Sequence, residues 1–238
     1  MLTPAVWRDM FRVYEDRRTA GRALVPELQR CDLPRPIILG LPRGGVPLAY
    51  EIAVALRAPL DTIVVRKLGV PSQPELAFGA IASGGVRVIN DDVVRSVFGL
   101  DDDMIEHVAG REMKELERRE QAYRLDRPYP ELEGMDVVLV DDGLATGATM
   151  CAAAEAVKTR SPASVIVAVP VGSSSAVARV AAIVDRVICL EAPPSFYAVG
   201  QFYADFGQTS DDEVRELLQA AWALLDTPAS GNEGRARG

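Results

Sequence analysis

Apolar residues run without polar alternation at 36–41, 61–66, 136–141, 164–170 and 186–190. Short runs rich in Val, Ile and Leu suit strands buried on both faces of a parallel sheet. Between them, 45–57, 147–160 and 173–182 carry small and apolar residues at helical spacing, the second ending at Thr159-Arg160-Ser161-Pro162. This alternation predicts an α/β fold, a mainly parallel open sheet flanked by helices. Residues 5–30 read as an amphipathic helix with Trp7, Phe11, Tyr14, Leu24 and Leu28 as packing residues. Residues 101–124 open with three Asp, pair Glu115 with Arg119 at i,i+4, and predict a charged surface helix; Ser210 caps a terminal helix over 211–225. Two segments keep neither period. Leu68 to Asp92 is broken by Gly69, Pro71, Pro74 and a hairpin signal at Ser83-Gly84-Gly85, and reads as a small flexible-loop hairpin. Pro193 to Phe206, rich in aromatics and Gly, reads as a C-terminal hood.

Composition bounds the rest. With 238 residues and 48% hydrophobic content, one domain over 1–226 is expected: an N-terminal helix in 1–35, a core in 36–191, and hood plus terminal helix in 192–226. The Gly- and Arg-containing tail, 227–238, is predicted to be disordered. A net charge of −8 argues against nucleic-acid or membrane partners, so an anionic ligand has to be met locally. Cys31, Cys151 and Cys189 show neither disulfide nor metal spacing, which points to a reducing cytoplasm. No apolar run approaches about 18 residues, so a soluble chain is predicted. His107 is the only histidine and lies on the charged helix, which leaves no basis for histidine catalysis or a multi-histidine metal site.

Chemistry concentrates at 137–149, Val-Val-Leu-Val-Asp-Asp-Gly-Leu-Ala-Thr-Gly-Ala-Thr. A buried strand there ends on two carboxylates and opens through small residues into a helix. Ligands of open α/β sheets collect beyond such strand ends, where loop and helix N–H groups face an anion. Gly143, Ala145, Gly147 and Ala148 leave the backbone accessible, and Thr146 and Thr149 add hydroxyls. Asp141 and Asp142 would repel a phosphate, so they suit sugar hydroxyls or a metal's waters. The implied ligand is a phosphorylated sugar. Asp142-Gly143 alone would also signal a hairpin, but the following residues are helical in pattern. Pro42-Arg43-Gly44-Gly45, after the run 37–41, is by itself an ordinary turn, and Arg66-Lys67 by itself a solvated strand end.

In order, the three segments resemble type I phosphoribosyltransferases over residues 36–191. Asp-Asp-x-x-x-Thr-Gly-x-Thr is similar to that family's phosphoribosyl-pyrophosphate motif. The resemblance implies that Asp141 and Asp142 bind the ribose hydroxyls, and that Leu144, Ala145, Thr146, Gly147, Ala148 and Thr149 wrap the 5′-phosphate. It implies a pyrophosphate loop at Arg43, Gly44 and Gly45, with Arg66 and Lys67 at the edge of a mobile loop that closes over the sugar. Arg43 and Lys67 would then be catalytic, stabilising the pyrophosphate as it leaves, and Phe196 and Tyr197 would stack on a planar acceptor. Mg²⁺ would arrive with the pyrophosphate, without a protein metal site, and a homodimer is expected. Ala145 stands where the 6-oxopurine enzymes usually carry a carboxylate, which disfavours hypoxanthine and guanine. Adenine fits the Leu-Ala-Thr-Gly variant, with Glu75 as a loosely aligned loop acid; orotate, other acceptors and water stay open. The alternative to a transferase is a regulator that binds phosphoribosyl pyrophosphate without turning it over.

Overall fold

The computed structural model describes residues 12–97, 100–125 and 127–226. Along the chain these form α1 (Arg17–Gln29), β1 (Pro36–Gly40), α2 (Gly45–Leu56) and β2 (Leu60–Thr62), then β3 (Val65–Val70), β4 (Gln73–Ala82) and β5 (Val86–Ile89). The short α3 (Asp91–Ser96) and the long α4 (Asp102–Arg124) precede β6 (Asp136–Val140), α5 (Ala148–Lys158), β7 (Ser164–Val171), α6 (Ser174–Ala181), β8 (Arg186–Glu191) and α7 (Asp211–Asp226).

Five strands form one parallel sheet in the order β2-β1-β6-β7-β8. The unbroken apolar runs have the cause the sequence suggested, since both faces are covered and every residue of β6 is buried. Alternate residues feed separate cores. Ile38, Val138, Val140 and Ile166 pack with Leu24 and Leu28 of α1, Leu48 and Ile52 of α2, and Val214 and Leu218 of α7. Ile37, Leu39, Val137, Leu139 and Val167 pack with Met150, Ala154 and Val157 of α5 and Val180 of α6. The α/β architecture is therefore as expected, with strand boundaries within one residue of the sequence reading for β1, β6, β7 and β8.

Two expectations change. The run 61–66 is not one strand: the chain leaves the parallel sheet after Thr62, and Val65 begins a separate antiparallel sheet, β3-β4-β5. Ser83 secures the crossing, its hydroxyl accepting from Val64 N at 2.8 Å and its N–H donating to Val64 O at 2.9 Å. The supposedly irregular stretch 68–92 is mostly this sheet. Its Gly69 marks register shifts within β3, and only the Ser83-Gly84-Gly85 turn was legible. The N-terminal helix likewise begins at Arg17, capped by Asp16, whose carboxylate accepts from Thr19 N at 2.7 Å. Tyr14 lies before it in an extended pairing with Tyr203, while Trp7, Phe11 and the tail 227–238 fall outside the described residues.

Polar contacts pin α4 against both sheets. Arg124, 4% exposed, donates to Asp61 Oδ1 at 2.7 Å, to Glu120 Oε1 at 3.0 Å and to Thr62 O at 2.6 Å, with Tyr129 under its guanidinium at 4.4 Å. Such a pair is costly to break, because the stranded partner stays desolvated. Among the described residues no helix is long and apolar enough to cross a membrane.

Close approach of α1 to α2 rests on Gly21, where an added Cβ would sit 2.7 Å from the backbone Cα and O of Leu48. Gly21→Ala should force the helices apart and cost about 1–3 kcal/mol, read as a lowered denaturant midpoint with unchanged slope. An unchanged midpoint would mean that the two helices adjust freely.

Candidate functional site

The parallel sheet reverses direction of growth between β1 and β6, because β1 is followed by β2 on one side and β6 by β7 on the other. Crevices at such reversals, beyond the carboxyl ends of the strands, are where open α/β sheets bind ligands. In-register pairing of Gly40 with Val140 sets the two strand ends side by side, and Leu41 N donates to Val140 O at 2.8 Å. Loop 41–45 and loop 141–147 consequently start from adjacent points.

Loop 41–45 is packed onto the end of β6. A Cβ on Gly44 would lie 2.2 Å from Asp142 Oδ2, and one on Gly45 would lie 2.4 Å from Val140 O. Gly45 N bonds to Leu41 O and Val46 N to Arg43 O; the N–H groups of Arg43 and Gly44 have no acceptor among the described residues. The Pro42–Arg43 peptide is cis. Arg43 is 44% exposed and 3.7 Å from Asp211 at the start of α7.

Loop 141–147 divides its residues between core and opening. Leu144 is 2% exposed and bridges Gly172, with its N–H on Val171 O and its carbonyl on Ser173 N. The expectation that Leu144 wraps a phosphate is corrected accordingly: its side chain and N–H belong to the core. Ala145, Thr146 and Thr149 are exposed, and Ala148 is partly so. Gly147 caps α5 at φ +75°, a left-handed conformation that glycine adopts without strain. Among the described residues the N–H groups of Ala145, Thr146, Gly147 and Thr149 meet no acceptor, whereas Ala148 N reaches Thr146 Oγ1 at 3.4 Å. Unbonded amides at the positive end of an eleven-residue helix make a seat for an anion.

The two acids differ. Asp141 is half-buried and accepts from Asp142 N at 2.9 Å through Oδ1, leaving Oδ2 without a partner among the described residues. Burial first, then the charge of Asp142, raises its carboxyl well above the ordinary carboxylate range. Asp142 holds Arg17 through Oδ2, from which Nε and Nη2 each lie 2.9 Å, and its Oδ1 has no partner among the described residues. At Asp142 burial also raises the carboxyl, and Arg17 draws it part of the way back. Neither Arg17 nor Tyr203, which donates its hydroxyl to Asp142 O at 2.7 Å, was singled out in the sequence. They lie 125 and 61 residues away from Asp142, and no local spacing links them to it.

Arg66 and Lys67 have different surroundings. They sit on a strand, where neighbours point to opposite faces. Arg66 turns to α4 and donates to Glu112 Oε2 from Nε at 2.9 Å and from Nη2 at 2.5 Å. Lys67 is exposed, has no ionic partner among the described residues, and shares a recess of about 510 Å³ with Thr149. It also lines a cavity of about 660 Å³ between the antiparallel sheet and α5, together with Gly79, Asp91, Arg95, Cys151 and Arg179. Phe196 stacks on the buried Phe202, with ring centroids 5.7 Å apart, and Tyr197 is 83% exposed. The Glu75 side chain lies outside what is described.

A family model described as phosphoribosyl transferase domain matches residues 27–206. The chain belongs to the phosphoribosyl transferase family. Two strains of Mycobacterium tuberculosis, CDC 1551 and H37Rv, carry a protein that is named as an unproven phosphoribosyl transferase. Each is 50% identical over 210 residues, 88% of this chain and 47% of the relative, so the chain spans about half the length of the curated relatives it matches. The crystal structure of TT1426 from Thermus thermophilus superposes with a TM-score of 0.81 at 43% identity, covering 88% of this chain and 99% of that one. Both loops lie inside the residues that the family model matches.

The contact between the loops gives a direct check. Gly45→Ala places a methyl group 2.4 Å from Val140 O and 3.0 Å from Asp141 Cα, atoms that cannot yield without moving the strand end. Loop 41–45 should shift, with about 1–3 kcal/mol lost on unfolding and changed amide shifts at 140–142 in NMR spectra. Undisturbed shifts at 140–142 would contradict the packing described.

Proposed function

We propose that the protein transfers ribose 5-phosphate from phosphoribosyl pyrophosphate to a nitrogenous acceptor, releasing pyrophosphate. One observation carries this reading: at the reversal of the sheet, a loop of unbonded amides at a helix N-terminus, an uncommitted carboxylate oxygen and a second glycine-packed loop start from neighbouring strand ends. Those groups match, in order, a phosphate ester, a sugar diol and a second anionic group.

In this reading the amides of 145–149 and the hydroxyls of Thr146 and Thr149 hold the 5′-phosphate. Asp141 accepts from the ribose hydroxyls through its free Oδ2. The N–H groups of Arg43 and Gly44 face the pyrophosphate, which brings Mg²⁺ as part of the substrate, since Mg²⁺ keeps oxygen ligands and water and rides on phosphates. As the bond to the leaving group lengthens, the anomeric carbon gains positive character and the pyrophosphate gains negative charge. In this reading Arg43 and Lys67 would offset that charge. Acceptor attack from the opposite face then completes the transfer with inversion. Ala145 offers no carboxylate to the acceptor, so deprotonation of the incoming nitrogen falls to another group or to solvent. The acceptor class favoured is a nucleobase other than the 6-oxopurines, with adenine the first to try.

The decisive experiment is a pyrophosphate-release screen of nucleobases with phosphoribosyl pyrophosphate and Mg²⁺. Release with one base and not others supports the transferase; tight binding without release from any base would favour a regulator, and no binding would refute the site. Lys67→Ala should lower the release rate by about two to three orders of magnitude while changing affinity for the sugar phosphate much less. Equal losses in rate and affinity would reduce Lys67 to a ground-state contact.

The raised Asp141 carboxyl sets a pH dependence. Accepting two sugar hydroxyls requires the ionised form, and the free protein keeps the proton to higher pH than an ordinary carboxyl does. Affinity should therefore climb as pH rises through that elevated value, with proton release on binding. Asp141→Asn should lose most of the affinity and remove this part of the slope. Calorimetry in buffers of different ionisation enthalpy measures both, and an unaltered slope in the variant would assign the titration elsewhere.

A further inference from the structure

The acid pair is not symmetric, and the difference lies in what Arg17 does. Its guanidinium is anchored on three sides: Nε and Nη2 on Asp142 Oδ2, Nη1 donating to Gly207 O at 2.6 Å, and its face over the Phe206 ring at 4.0 Å. The Arg17 and Asp142 side chains are only 12% and 15% exposed. Tyr203, bonded to Asp142 O, packs against Phe206 with centroids 5.0 Å apart and against Tyr14 at 5.9 Å. Backbone bonds complete the joint, from Tyr14 N to Phe202 O, Ala204 N to Tyr14 O and Asp205 N to Glu15 O, each 2.8 Å. On the other side, Asp142 Oδ2 fills the space that a side chain at position 44 would take.

One carboxylate thus joins the end of β6, the start of α1, the segment 202–207 and loop 41–45. Asp142 Oδ2 accepts from Arg17 Nε, with Nη2 at the same distance, and is poorly placed to receive sugar hydroxyls, whereas Asp142 Oδ1 has no partner among the described residues. We propose that Arg17 is a positioning residue for phosphoribosyl transfer: through Asp142 Oδ2 it fixes the hood segment 202–207 over the crevice, leaving Asp142 Oδ1, with Asp141 Oδ2, for the ribose diol. This deepens the transferase reading and rests on it. Lysine cannot replace Arg17, since a single ammonium cannot bridge Asp142 and Gly207 while lying flat on Phe206.

The test compares Arg17→Ala, Arg17→Lys, Tyr203→Phe and Asp141→Asn in the full chain. Three readouts are needed: affinity for phosphoribosyl pyrophosphate with Mg²⁺ by calorimetry, pyrophosphate release with the nucleobase panel, and hydrogen exchange of the Ala204 and Asp205 amides. Arg17→Ala should lose far less affinity than Asp141→Asn, because both carboxylates remain, while slowing release on the order of tenfold or more and speeding exchange at 204 and 205. Arg17→Lys should recover only part of the exchange protection. Tyr203→Phe removes one hydroxyl from the same joint and should move exchange and release in the same direction by a smaller factor, which decides the matter even where Arg17→Ala fails to fold. Asp141→Asn should lose affinity with exchange at 204 and 205 unchanged. Loss of affinity in Arg17→Ala matching that of Asp141→Asn, or unaltered exchange in both joint variants, overturns the proposal. Wild-type protein that does not bind phosphoribosyl pyrophosphate overturns the transferase reading instead, and the exchange data still report whether the joint exists.

Discussion

Pairing of β1 with β6 is the constraint on which the site depends. The two strands are separated by α2, β2, the antiparallel sheet, α3 and α4, yet they run in register from Pro36 and Asp136 to Gly40 and Val140. Adjacent strands lie about 4.8 Å apart, so this register brings two loops that are remote in sequence to within one side chain of each other. Were β6 placed one strand further along the sheet, Gly44 would have no carboxylate to pack against and the crevice would be a shallow edge. The apolar alternation that feeds two cores, Val138 and Val140 to one face and Val137 and Leu139 to the other, holds this register, because a slip of one residue would exchange the faces.

The surroundings then make equal residues unequal. Asp141 and Asp142 are chemically identical neighbours, but only Asp142 is tied to a guanidinium, through one of its two oxygens. Arg66 and Lys67 are neighbours of like charge, but strand alternation sends one into an ion pair with Glu112 and leaves the other open beside Thr149. A chain of net charge −8 has no general attraction for a phosphorylated ligand, so the local supply of N–H groups and unpaired cations decides what it binds. Helix N-terminal amides suit that task, since they offer positive potential without adding a titrating group.

What the sequence made legible was local. A buried parallel strand announces itself as an unbroken apolar run, and a phosphate-type loop as small residues between strand and helix, so 36–41 and 136–149 could be read directly. Elements whose cause lies elsewhere could not. β3 and β4 carry Gly and Pro within and beside them, which erases both periods. The chain's exit from the parallel sheet after Thr62 is secured by Ser83, 19 residues beyond the Val64 it bonds, and not by any residue nearby. Leu144 reads as part of an exposed loop until Val171 and Gly172 arrive to cover it. Arg17 is the clearest instance, since a helix-opening arginine has no sequence mark that distinguishes a solvated charge from one locked onto Asp142.

The hood carries the same lesson into acceptor choice. Its inner part, 202–207, is bonded to residues 14–17 and to Asp142, whereas Tyr197 in its outer part is 83% exposed. Phe196 stacks on Phe202, so it contributes to the anchor and its ring is already occupied on that side. A stacking partner for a planar acceptor has to come from a ring that is free and held by a rigid support, and within 193–206 the support ends at Phe196. Selection of the acceptor by this hood would therefore act through the position of its anchored edge more than through its outermost aromatic. An anchored edge is set by Arg17 and Tyr203, so under the transferase proposal the ion pair on Asp142 would bear on specificity as well as on geometry.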